Sequence, residues 1–304
     1  MLARFEKALS TQVEAEKEAE MRAIHCLLDG LIDYAGLYPP AGLDMQSAVR
    51  NYLDYRQGRY EYALGRFIVD LNRVGEVRDA AGKSVGKMKL SVIASPATDW
   101  SSLPDLIGSG LPIEMLEIKP ARPVDVMTLE KRVPAGVAAY FEVPVEGHDH
   151  DILDAIAAAG GRAKLRMGGV VSEAFPAAGD VARILKEFAV RKISFKATAG
   201  LHHPIRSRHH FTYEPDSPQG MMHGFVNLFF AAAMLYFGGD VADAERLLND
   251  EDITSWEINE DAIRWNALSW PTTRVREVRQ KFMNSFGSCS FVDPLRDLEM
   301  LGWL

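Results

Sequence analysis

The chain has 304 residues, 47% of them hydrophobic, with 34 Lys and Arg against 42 Asp and Glu and a formal net charge of −8. That is enough chain to bury one large core. An acidic balance with no long basic run argues against nucleic acid or an anionic membrane as the main partner. Two cysteines, Cys26 and Cys289, build neither a disulfide framework nor a zinc ribbon, which suits a reducing cytoplasm.

Residues 2–28 read as helical with a polar middle, unlike a signal peptide, and such a segment suits packing on the main body or on a second copy of the chain. A loop over 34–44 ends in Asp44, an N-cap for a helix over 45–57 that stops at Gly58. Residues 1–60 are thus expected to be helices packed on a body formed by 61–304.

From Arg66 onward short apolar runs alternate with helical stretches. Strands are predicted over 66–71, 88–94, 113–119, 138–144, 162–168 and 193–199. The helices between them include 180–190, where Val181, Ile184, Leu185 and Phe188 repeat at helical spacing, and a stretch from Asp151 that stops at Gly160 and Gly161. This alternation implies parallel pairing through right-handed crossovers, and a (β/α)8 barrel of the TIM type is the fold expected. Residues 255–268 form either a hairpin or an irregular seventh strand, and 284–291 the eighth. An open doubly wound sheet is the alternative, but no G-x-G-x-x-G follows the first strand and no P-loop occurs. The greasiest stretch, 225–237, is too short to span a bilayer and reads as a buried helix.

Side chains along a barrel strand alternate between the lumen and the surrounding helices. On the four strands from 113 to 199 the apolar sets must pack under helices. Glu117, Lys119, Tyr140, Glu142, Lys164, Arg166, Lys196 and Thr198 are then sent inward. Charges in a barrel interior are costly unless paired or hydrated. Either they close a salt-bridge network, or they serve a site at the C-terminal strand ends, where barrel enzymes carry their chemistry. After Thr198 the chain leaves through Gly200 into His202, His203, Pro204 and Arg206. His223 and Asn227 then share a face near the start of the apolar helix, suited to an anion or, equally, to capping and core hydrogen bonds. The SFGSCSF segment, with Ser288, offers backbone N–H groups for phosphate, and its Cys289 reads as a buried thiol. Adjacent His202 and His203 suit a single metal poorly. His148 and His150 have better spacing but sit in a short polar loop, so no metal or other cofactor is expected.

Six segments resemble a bacterial family of β/α-barrel-like proteins: YAGLYPPAGLDMQSAV, LGRFIV, KLRMGG with EAFP, FKATAGLHHPIR, MHGFVNLFFAAAML and FGSCSF, spread from residue 34 to 291. The resemblance implies the fold and carries no activity. Separately, KATAG around Lys196 is similar to the setting of the Schiff-base lysine on strand six of class I barrel aldolases, over about one strand. That resemblance implies a lyase in which Lys196 attacks the carbonyl of a small anionic metabolite. Glu142, His202 and His203 would act as acid and base. Lys164, Arg166, Thr198, Arg206, His223, Asn227, Glu117 and Ser288 would bind substrate. A non-covalent or metal-assisted isomerase or hydrolase, and a non-enzymatic binder of an anionic metabolite, are the alternatives.

Overall fold

The computed structural model describes residues 22–94, 110–120 and 122–304. Its centre is a closed barrel of eight parallel strands. These are β1 (Ile32–Tyr34), β2 (Leu64–Asp70), β3 (Leu90–Ala94), β4 (Ile113–Ile118), β5 (Ala138–Val143), β6 (Arg162–Arg166), β7 (Phe195–Thr198) and, last in sequence, β13 (Met283–Ser288). β13 closes the barrel by pairing with both β1 and β7. The open-sheet alternative is thereby excluded.

The barrel begins earlier than residue 61. β1 lies in the region expected to hold only helices and loops, because three residues are too few to show a strand period. The strand carrying Lys196 is therefore the seventh of the barrel, not the sixth. Residues 256–271 are not a barrel strand. They form an antiparallel sheet of β10 (Trp256–Ile258), β11 (Ala262–Trp265) and β12 (Leu268–Pro271). The helix expected over 2–28 falls largely outside the described residues; its described end is α1 (Ala23–Leu28).

The crossover helices form where the pattern requires. In α6 (Ala178–Arg191), Val181, Ile184, Leu185 and Phe188 are wholly buried against the strands. Asp44 caps α2 (Met45–Tyr55) by accepting the Ser47 N–H, satisfying one of the orphan donors of the first turn. The apolar stretch forms α7 (Phe225–Tyr236), buried from Phe225 to Leu235. Among the described residues no helix is long and apolar enough to cross a membrane.

After β7 a long excursion raises a hairpin over the barrel mouth, β8 (Ser207–His210) with β9 (Gln219–Met222). The final helix, α10 (Val292–Met300), starts directly above the end of β13. Because all eight strands run parallel, their C-terminal ends open at one face, and the hairpin and the start of α10 border it.

Candidate active site

The inward-facing charges form one chain of ion pairs across the lumen. Lys196 lies 2.7 Å from Asp33 Oδ2 and 2.6 Å from Glu117 Oε1. Glu117 Oε2 is 2.8 Å from Lys164, which reaches Glu142 at 3.0 Å. Ser285 donates to Asp33 and Ser91 to Glu117, both at 2.7 Å. At its lower end this chain is the closed network that a purely structural reading requires. Upward it opens, because Glu117, Lys164 and Glu142 line a cavity of about 440 Å³ at the C-terminal mouth, together with Arg166 and Thr198.

Lys196 does not have the setting of a Schiff-base lysine. Its side chain is wholly buried, and although burial disfavours its charge, Asp33 and Glu117 outweigh that and raise its pKa above that of an ordinary lysine. A Schiff-base nucleophile needs the opposite, a free amine facing substrate. Lys164 is likewise held protonated, by Glu117 and Glu142 against the effect of burial. Burial also opposes the charge on Glu117, yet Lys164 and Lys196 hold its carboxyl well below the usual range. These residues are fixed ions near neutral pH, suited to electrostatics rather than to exchanging protons.

Glu142 and Arg166 also line a side cavity of about 510 Å³, where exposed Lys119 sits instead of in the lumen. Arg166 is exposed, with its Nε donating to the Gly168 carbonyl at 3.1 Å. Gly168 and Gly200 allow β6 and β7 to leave the barrel close together: a Cβ on Gly200 would stand 2.9 Å from the Gly168 Cα. Ala199 and Gly200 both adopt left-handed backbone, at φ 63 and 70, and both line the main cavity.

The two adjacent histidines part company. His202 lines the main cavity, with Nε2 3.8 Å from Cys289 Sγ and Nδ1 3.8 Å from Asp293 Oδ2 and 3.5 Å from Ser288 Oγ. Burial pulls its pKa down, but Asp293 and Cys289 outweigh it and raise the value to about 9. Asp293 accepts from the Tyr213 hydroxyl at 2.8 Å; burial pushes its pKa up, and bonds from His202 and Tyr213 bring it down to about 2. His203 points outward, paired with Asp297 at 2.6 Å and stacked on His209. It borders an outer cavity of about 310 Å³ that shares His202 with the main one.

Arg206, His223 and Asn227 lie outside the main cavity. Asn227 is a scaffold: Nδ2 donates to the Leu247 and Asp250 carbonyls, and Oδ1 accepts the Arg206 N–H. His223 Nε2 donates to the Pro176 carbonyl at 2.8 Å, and burial holds its pKa at about 4, so it is a neutral bracing group. The alternative of core hydrogen bonding is the one these two residues take, because the carbonyls of neighbouring segments need their donors. Ser288 is buried beside His202, while Gly287 and Cys289 face the cavity. His209 is partly buried.

Three members of the site escape sequence reading. Asp33 sits on the three-residue β1, and the Cys289 pairing with His202 spans 87 positions. Asp293 lies in the first turn of the last helix, and nothing in the local sequence marks its reach to His202. Among the described residues, no group of three His, Cys, Asp or Glu side chains is arranged to hold a metal ion.

No family model matches the sequence, and no curated protein matches it. Among solved structures, FabK from Thermotoga maritima is similar over 60% of this chain and 55% of its own, at 15% identity and a TM-score of 0.37. A muconate lactonizing enzyme is similar over 55% of this chain and 46% of its own, at 14% identity and a TM-score of 0.35. That from Pseudomonas fluorescens, complexed with muconolactone, is similar over 80% and 60%, at 14% identity and a TM-score of 0.36. The chain spans about half the length of the first of these structures. Likeness at this level carries no function, and the barrel itself rests on the strand pairing.

Proposed function

We propose that the protein is an enzyme acting on a small anionic carbonyl metabolite at the C-terminal mouth of the barrel, of the isomerase or hydrolase kind rather than a Schiff-base lyase. One observation carries this reading: a single cavity of about 440 Å³ has the cations Lys164 and Arg166 in its wall and His202 with Cys289 at its rim. A cavity of that size suits a small metabolite. Lys164 is a fixed positive charge suited to a developing oxyanion, and the exposed Arg166 suits two-point contact with a carboxylate or phosphate. Glu142 and His202 line the same cavity and are suited to acid and base roles there.

The test is a thermal-shift screen of keto acids, hydroxy acids and sugar phosphates, followed by turnover assays on whatever binds. Stabilisation by anionic carbonyl compounds that is lost in Arg166→Ala supports the reading. Binding restricted to neutral compounds, or unchanged in Arg166→Ala, would sink it.

A further inference from the structure

We infer that Cys289 is a nucleophile, with His202 as its base and Asp293 as the positioning residue of that base, and that it accepts an acyl group from an anionic ester or thioester. This rests on the reading above that the barrel mouth receives a small anionic carbonyl compound. The three side chains come from three different segments. Cys289 follows β13, His202 follows the turn after β7, and Asp293 lies in the first turn of α10. The two imidazole nitrogens face different partners: Nε2 stands 3.8 Å from the thiol, and Nδ1 stands 3.8 Å from the Asp293 carboxylate and 3.5 Å from Ser288 Oγ. That division is the working arrangement of nucleophile, base and orienting acid, on whatever fold it occurs. A nitrogen–sulfur separation of 3.8 Å is long, and such contacts commonly tighten when substrate binds.

The surroundings support a reactive thiol over a structural one. Cys26 belongs to the apolar core, whereas Cys289 lines the main cavity beside His202. Asp293 is itself held by the Tyr213 hydroxyl at 2.8 Å, and the Ser290 hydroxyl accepts the Asp293 N–H at 3.0 Å, so the carboxylate is fixed where the imidazole needs it.

The step balances without any redox partner. The proton is carried on His202 Nε2 as the imidazolium of a pair with the Cys289 thiolate, the Sγ–C bond forms, and the carbonyl π pair moves onto oxygen within the cavity that holds Lys164 and Arg166. The tetrahedral adduct then collapses, the bond to the leaving oxygen or sulfur breaks, and His202 returns the proton to that atom. Water, deprotonated by the now neutral His202, attacks the resulting thioester and releases the carboxylic acid, and the Cys289 sulfur leaves as the thiolate beside the re-protonated His202.

The full chain is mixed with p-nitrophenyl hydrogen succinate, which is anionic, and in parallel with neutral p-nitrophenyl acetate. The expected result is a burst of p-nitrophenolate equal to the protein concentration, with a succinyl mass mapped to the Cys289 peptide after acid quench. His202→Gln should slow the burst by about 100-fold or more, and Cys289→Ser should remove the adduct. Mapping on the unmodified protein keeps the test decisive if either variant folds poorly. An adduct absent from Cys289, or an undiminished burst in His202→Gln, overturns the inference even if anions still bind. Equal rates on the two esters with the adduct on Cys289 support the nucleophile and remove the anionic-substrate reading instead.

Discussion

Lys196 donates to Asp33 across 163 positions of sequence, Nζ standing 2.7 Å from Oδ2 with neither side chain exposed. Deleting Lys196 takes the nearest cation from buried Asp33, leaving it only Arg66 at 3.9 Å, and also removes one of the two cations on Glu117, at a cost of about 3–5 kcal/mol. Lys196→Met should lower the unfolding free energy by that amount in urea titrations. Borohydride treatment with keto acids or aldehydes should leave Lys196 unmodified, since its amine is held as an ammonium ion.

Arg166 and Lys164 should separate binding from stability. Arg166 is exposed, so Arg166→Ala is expected to stay within about 0.5 kcal/mol of the parent in stability. It should nonetheless weaken an anionic ligand by about 10-fold or more, the worth of a charge-assisted hydrogen bond. Lys164→Met removes the cation shared by Glu117 and Glu142, leaving Glu117 with Lys196 alone, and should be measurably less stable in the same denaturation series. A ligand titration and a urea curve on each variant check both statements.

His202 gives a pH signature whose sign is fixed. Its folded pKa of about 9 lies above the ordinary 6.5. Its contribution is thus complete below about 6.5 and is lost as pH rises toward 9. The stability gap between the parent and His202→Gln should narrow steadily across that interval. A gap that is flat, or that widens with rising pH, would contradict the ion pair with Asp293.

The glycines at the β6 and β7 exits should resist substitution. A Cβ on Gly168 would lie 2.5 Å from a Phe175 ring carbon and 2.9 Å from the Gly200 Cα, and Gly200 has φ +70 in addition. Gly168→Ala and Gly200→Ala should each cost about 1–3 kcal/mol, Gly200→Ala the more of the two, as read from thermal unfolding.

The parity of β4 to β7 is legible from single polar positions opposed to apolar ones: Glu117 against Leu116 and Ile118, Glu142 against Phe141 and Val143, Lys164 against Ala163 and Leu165, and Lys196 against Phe195 and Ala197. That alternation is enough to assign Glu117, Glu142, Lys164 and Lys196 to the inside of a barrel. The same reasoning cannot reach Asp33, whose strand is three residues long, and without that strand the six strands expected between 66 and 199 are each numbered one too low, while the strand over 284–291 keeps its place as the eighth. The omission also hides one of the two counter-ions, beside Glu117, that make Lys196 a structural cation rather than a nucleophile. The double histidine misled for a related reason. Adjacent residues look equivalent in sequence, but extended backbone sends their side chains apart, so His202 meets Cys289 and Asp293 while His203 meets Asp297 and His209.

The close approach of Gly168 and Gly200 also limits how the mouth can change. Where Gly168 and Gly200 meet, main chain packs on main chain and there is no side chain to shorten. A larger substrate cannot be admitted there by shortening residues. Room would have to be made from other parts of the wall, where Ile68 and Ile93 also line the cavity. Variants that exchange those two isoleucines are therefore the place to look for altered substrate size, with the charged groups of the mouth left untouched.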